Sequence, residues 1–371
     1  MDNNSKKYLL MKIGGILLVL YVLIGGLFLP LKTGITGVNT FKIKSNTVQD
    51  ISFDVYNPGK NFKASKVILK KENQIYESND IHSVEQGFLK GTIEVKLGDS
   101  TPSALYDVFV LGGNGKQEFW MYFPDAIWVD KDLSDTLLSN RISSKSLAKE
   151  FAGNGNKSGA GMKSQDVQMG FPNRPILNES IRNLLYHVPM WFAMMFLMFM
   201  SVIFAIKYLS KQNLTDDLWS ESFIKVGIIT GILGCVTGSS WASITWQSWW
   251  PVDDPKLNGV AIGMFMYLAY LILRNTLKDP YQKARISSVY AVLIFPIFMA
   301  LIAIMPKLSE DSLHPGSGGT VGFNKYDLDN TLRMFFYPAV IGWILIFSWI
   351  TVLRFRYETL KNKIQESEDN E

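Results

Sequence analysis

Two imidazoles and a cluster of indoles are the side chains here whose types and spacing suit a flat metal complex. His187 lies in Leu184-Leu185-Tyr186-His187-Val188-Pro189 and His314 in Leu313-His314-Pro315-Gly316, and the only other histidine is His82. Neutral imidazole is a good ligand for haem iron, and two from opposite sides complete its axial coordination. Between them Trp241, Trp246, Trp249 and Trp250 fall within ten residues, followed by Asp253-Asp254-Pro255-Lys256. Indoles of this kind can stack a porphyrin. An interfacial aromatic belt also enriches tryptophan and accounts for one or two of the four. Taken singly, His187 is equally an interfacial histidine and His314 a loop histidine, so their chemistry depends on what brings them together.

The elements that must do so lie in a membrane. Of 371 residues, 47% are hydrophobic and 19% charged, against about a quarter charged in a typical soluble protein. Mean hydropathy is +0.10. A single cysteine, Cys235, excludes an intrachain disulfide framework and any CxxC site. Three histidines leave little room for a multi-histidine metal cluster, and a net charge of +4 argues for no nucleic-acid partner. Most soluble-enzyme classes are thereby excluded.

Charge-free apolar runs mark six spans: Ile13–Leu29, Val188–Ile206, Val226–Val252, Leu257–Leu273, Ile286–Pro306 and Met334–Leu353. A bilayer core of about 30 Å needs about 20 helical residues, so the 27-residue third run leaves its Trp-rich end at the interface. The first run resembles a signal peptide in its basic flank, but no small-x-small cleavage site precedes Pro30. An uncleaved helix is expected.

Orientation follows from Lys and Arg near the span ends. One face carries fourteen: Lys6, Lys7, Lys12, Lys207, Lys211, Lys225, Arg274, Lys278, Lys283, Arg285, Arg354, Arg356, Lys361 and Lys363. The short loops opposite carry four: Lys256, Lys307, Lys325 and Arg333. Both termini are expected in the cytoplasm, with His187, the tryptophans and His314 together on the outer face.

Between the first two spans, Phe41–Lys44, Ile51–Tyr56, Val67–Lys70, Thr92–Leu97, Tyr106–Leu111 and Glu118–Phe123 alternate or are β-branched and aromatic. Turn clusters separate them, which predicts a small antiparallel β-sandwich over about residues 38–130. His82 reads as a solvated loop histidine. Two glycine-rich runs, 112–117 and 153–161, lack the spacing of a phosphate loop, and the second reads as a tether. The fold class expected is mainly α and integral to the membrane: a six-helix bundle with an extracytoplasmic β-sandwich insert between helices one and two. Its parts are an N-terminal helix (1–30), the β-rich domain (31–130), a linker (131–180), a five-helix domain (181–356) and a cytoplasmic tail (357–371). The tail is expected to be solvated and frayed, Cys235 to serve close helix packing beside Gly231, Gly234 and Gly238, and the span-two methionines to pack.

The segment Arg182 to Trp191, the Trp-rich stretch and Leu313-His314-Pro315-Gly316 resemble the CcmC type of cytochrome c assembly protein, within the haem-handling family that includes CcsA-type synthetases. The similarity covers about residues 176–356 and rests on three motifs in the right order on one face. It implies that His187 and His314 are axial ligands of the iron of noncovalent haem b, and that Trp241, Trp246, Trp249 and Trp250 cradle the macrocycle. The family's Trp-rich (WWD) motif has tryptophan directly before its acidic residue, whereas Pro251-Val252 intervenes here. Asp253 or Asp254 fills that position, and Asp254 matches the following residues better. Arg182 is placed to pair with a haem propionate or with lipid headgroups; Lys256 is a weaker propionate candidate.

The resemblance further implies delivery of haem to a periplasmic haem chaperone beside ABC-transporter subunits, in the inner (plasma) membrane, with no bond-making turnover. The insert is not part of the common CcmC pattern. Two alternatives are a CcsA-like synthetase component, which normally has a second histidine pair, and a b-type electron-transfer cytochrome, which usually carries histidines within its helices. A third is a non-haem assembly protein whose sandwich binds a partner.

Overall fold

The computed structural model describes residues 3–57, 62–71, 74–78, 80–85, 88–95, 103–113, 118–130, 170–173, 177–305 and 328–368. The chain forms two compact units, one of residues 1–28 with 182–371, the other of residues 29–181.

The helical unit contains α1 (Asn3–Phe28), α2 (Leu184–Lys211), α3 (Leu214–Thr245), α4 (Pro255–Thr276), α5 (Pro280–Met299, continued by a π turn, Ala300–Ile304) and α6 (Asn330–Glu368). Among the described residues, six helices are long and apolar enough to cross a membrane. Their starts are written locally. Asn213, Asp254 and Asp279 accept hydrogen bonds from first-turn amides of α3, α4 and α5, and proline opens both α4 and α5, where its missing N–H costs nothing.

Helix α1 packs along α6, while α2 lies against α3, α5 and α6. Met194, Met198, Ile228, Met264, Tyr267 and Phe298 are buried in one core shared by α2 to α5, which Cys235 adjoins. The lipid-type residues Ile229, Ile232, Leu233 and Val236 remain exposed on α3.

The helices outrun the apolar runs that announce them, α3 and α6 most of all. Charge ended those runs, but α3 begins at Leu214 and includes Asp217, Glu221 and Lys225, because Arg274 of α4 satisfies both carboxylates inside the bundle. The last helix does not end near residue 353. It continues through Glu368, so the expectation of a frayed tail after Lys361 is corrected for residues 361–368.

The β-rich unit has two sheets over one apolar core. β1 (Gly34–Val38), β3 (Val48–Tyr56), β7 (Phe88–Glu94) and β6 (Asp80–Glu85) form one, in that spatial order. β2 (Lys42–Lys44), β9 (Glu118–Asp130), β8 (Ala104–Gly113), β4 (Lys63–Lys71) and β5 (Gln74–Ser78) form the other. Alternation explains the core: Ile51, Phe53 and Val55 point inward from β3, and Val108 and Val110 from β8.

Two expectations are corrected here. The sandwich is not wholly antiparallel, because the chain changes sheet between β1 and β2 and lays β2 parallel to β9, with Lys42 paired to Asp130 at 3.1 Å. His82 lies in strand β6, opposite Lys90, rather than in a loop. β5 and β6 are edge strands, and an edge tolerates the polar composition that hid them in the sequence. The glycine-rich tether lies outside the described residues.

Candidate functional site

His187 occupies the first turn of α2, and its position follows from a spacing shared by two helices. Along α2, His187, Trp191, Met194 and Met198 recur at intervals of four, three and four; along α3, Gly227, Gly231, Gly234 and Gly238 do the same. The helices run antiparallel, and each large side chain meets one glycine. A Cβ added at Gly227 would lie 2.8 Å from Met198 Cε, at Gly231 2.7 Å from Met194 Sδ, at Gly234 2.9 Å from Trp191 Cε2, and at Gly238 2.5 Å from His187 Cε1. The histidine is the last knob in a glycine groove. The small-residue approach of helices in lipid therefore sets the depth and the direction of its ring. It also accounts for Met194 and Met198 as packing residues.

The groove supplies polar partners as well. His187 Nδ1 lies 3.0 Å from the Gly234 carbonyl oxygen and 3.3 Å from Thr237 Oγ1. A carbonyl only accepts, so Nδ1 carries the proton and donates, and in the neutral ring Nε2 bears the lone pair. The Thr237 hydroxyl donates to Leu233 O at 2.9 Å and to Gly234 O at 3.1 Å. Asn183, just before α2, donates from Nδ2 to Thr237 O at 3.1 Å, which ties the start of α2 to the same turn of α3. Trp191 meets the imidazole edge-on, with ring centroids 6.3 Å apart. An imidazole fixed by Nδ1–H to a backbone carbonyl is the usual arrangement of a metal-ligating histidine.

The tryptophans begin one turn beyond Gly238. Trp241 and Trp246 meet edge-to-face at 5.2 Å. Helix α3 ends at Thr245, and Gln247 takes a left-handed φ of 54° that turns the chain out of it. Trp250 packs against the α2–α5 core, whereas Trp249 is 66% exposed. The four are thus divided: an edge-packed pair, one core-facing ring and one exposed ring.

Asp254 is buried, and its Oδ1 accepts from the amides of Lys256 at 2.9 Å and Leu257 at 3.2 Å. Its visible work is to start α4. Asp253 is exposed. Arg182 donates from Nη1 to the carbonyl of Gly26 at the end of α1, at 2.5 Å. His314 lies outside the described residues. Among the described residues no cluster of three or more His, Cys, Asp or Glu could hold a bare metal ion.

Reasoning from residue types did not single out Gly234, Thr237 or Trp191 as partners of His187, nor Asn183 as a tie to the same turn. The signal was present in the matched four-three-four spacing of the two runs, which predicts contact only once the helices are known to be neighbours.

Comparison with known proteins supplies the relationship. The CcmC family, Heme exporter protein C, matches residues 163–370, a longer stretch than the motifs alone suggested. Heme exporter protein C of Rhodobacter capsulatus is 23% identical over 208 residues, covering 54% of this chain and 84% of the relative. The protein of that name from Paracoccus denitrificans is 21% identical, covering 50% of this chain and 76% of its own length. That of Haemophilus influenzae is 27% identical over 37% of this chain and 54% of its own length. The matched region takes in α2 to α6 and omits both sheets.

Proposed function

The chain belongs to the CcmC (Heme exporter protein C) family, and from that premise we propose that it receives and presents haem at the outer face of the inner membrane. In this reading haem b is cargo, bound noncovalently through its iron by Nε2 of His187 and by His314, and stacked on Trp241, Trp246, Trp249 and Trp250. It passes to a periplasmic haem chaperone, with ABC-transporter subunits as neighbours in cytochrome c maturation. The chain makes no bond of its own, both termini lie in the cytoplasm, and the β-rich unit lies outside.

The observation that carries the proposal is the hydrogen bond from His187 Nδ1 to the Gly234 carbonyl. It selects the tautomer that iron requires, and the lack of a side chain at Gly238 gives the ring room. The donor set fits haem better than a bare cation, since an imidazole with an indole at its edge, one helical turn from further indoles, suits a macrocycle held by stacking as well as coordination. Arg182, held at the end of α1, is the expected partner of a propionate, because guanidinium matches a carboxylate as a fork. For Asp254 the cap supports an indirect part, fixing where the Trp-rich turn enters α4.

The test is haem content by pyridine-haemochrome spectrum of the purified full chain. Wild type should carry haem, and His187→Ala and His314→Ala should each lose most of it. Added imidazole should restore binding in either variant, which separates a lost ligand from a misfolded protein. Wild-type haem content in both variants would remove the ligand assignment.

A further inference from the structure

We propose that the far end of α6 is a docking seam for an acidic α-helix of a partner protein. The helix has 39 residues, about 58 Å at 1.5 Å per residue, against a hydrocarbon core of about 30 Å. Phe355 stacks face to face on Trp219, ring centroids 3.9 Å apart, near the start of α3. Since α3 begins at Leu214, five residues earlier, α6 beyond about Leu360 runs past the turn joining α2 and α3. Phe355, Glu358 and Thr359 are half-buried on the side turned to the bundle.

The opposite side is apolar and uncovered. Leu353, Tyr357, Leu360 and Ile364 are 43, 62, 60 and 51% exposed. Their spacing of four, three and four places them on one stripe of a 3.6-residue helix, the pattern of a two-helix seam. Leu353 falls within the apolar run and suits lipid. Tyr357, Leu360 and Ile364 follow Arg354 and Arg356, the first charges after that run, so lipid does not explain them. Ile364 lies on the part of α6 that runs past the turn joining α2 and α3, and with Tyr357 and Leu360 it marks an interaction surface.

Charge selects the occupant. Arg356 and Lys363 flank the stripe on one side, and Arg354 and Lys361 on the other. Arg354 is paired to Glu358 at 2.8 Å, and Arg356 lies over the Tyr8 ring at 4.9 Å; among the described residues Glu368 is the acid on the flanks, at the tip. A second copy laid on this seam would set basic flank against basic flank. A bilayer surface is unsuitable because the segment continues a membrane-crossing helix without a break, Asn330–Glu368. A helix with an apolar seam and Asp or Glu flanks satisfies both stripe and charges. Under the orientation proposed above, that partner is cytoplasmic.

The experiment uses the full chain in phosphatidylcholine nanodiscs and two synthetic helical peptides with leucine seams, one flanked by Glu and one by Lys. Anisotropy titration should show the Glu peptide binding at least about tenfold more tightly. A Leu360→Ser/Ile364→Ser double variant should weaken that binding by about tenfold or more, as expected from losing two buried aliphatic contacts. Equal binding of both peptides, or undiminished binding by the serine variant, overturns the proposal, the latter by reducing it to charge attraction. So does dissociation of an oligomer by the serine variant, which would make a second copy the occupant. Quenching of a fluorophore at position 360 by brominated lipid would make it the bilayer and overturn the proposal equally.

Discussion

The two ends of α3 handle polar groups in opposite ways. At its start, Asp217 takes a two-pronged hydrogen bond from Arg274 of α4, at 2.9 and 2.6 Å. Glu221 accepts from the same guanidinium at 3.0 Å and pairs with Lys225 at 2.5 Å. Two acids and two bases cancel there, and their needs are met within the protein. About 32 Å further along the helix (21 residues at 1.5 Å), Gly238 seats a single imidazole whose Nδ1 is committed to a carbonyl. The first arrangement is closed and holds two helices together. The second fixes one imidazole nitrogen of α2 against a backbone carbonyl of α3. Buried polarity alone therefore does not mark a binding site in this bundle.

Breaking the closed end should cost the most stability. Arg274→Ala leaves two buried carboxylates without their shared partner and is expected to cost about 3–5 kcal/mol. Thermal unfolding in detergent should show a large fall in Tm, while haem per folded molecule stays near wild type. A parallel loss of haem would mean that the two ends are coupled.

The opposite pattern is expected at the glycine groove. Gly238→Leu places a side chain where the His187 ring sits, and haem content should fall about tenfold or more. Overpacking of this kind typically costs about 1–3 kcal/mol, so Tm should fall less than for Arg274→Ala. Retained haem in a folded Gly238→Leu protein would show that the groove does not set the ligand.

Asp254 provides the smallest and most discriminating comparison. If it is a cap, Asp254→Ala should cost about 1 kcal/mol, and Asp254→Asn, which caps equally well, almost nothing. Loss of haem in the Asn variant would assign the carboxylate charge to haem binding instead.

Much of the helical unit was legible because a bilayer imposes a length and forbids stray charge, and the six apolar runs identify six helices. The same rule misplaced their ends. It read Lys225, Arg274 and Arg354 as boundaries, since an apolar run cannot show that a charge has a partner: Arg274 meets Asp217 and Glu221 of α3, while Lys225 and Arg354 pair with Glu221 and Glu358 one turn away on their own helices. In the β-rich unit the alternating strands were legible from their inward-facing side chains. β5 and β6, at sheet edges, were not, because an edge strand needs less apolar surface. The candidate site was legible in its residue types, His187 and the tryptophans, and in the family that those motifs resemble. Its geometry was not: no spacing within one segment reveals that Gly234 of α3 accepts from His187 of α2.

The amino-acid order by itself determined where apolar helices form, where they are capped by Asn213, Asp254 and Asp279, and which side chains could bind a flat iron complex. These are local matters of side-chain chemistry and periodicity. Only the tertiary structure decided that Gly238 meets His187, that the imidazole takes the Nδ1–H tautomer, and that Arg274 neutralises the start of α3. Each of these depends on atoms from two helices meeting at hydrogen-bond or contact distance, and that distance exists only after the bundle has packed.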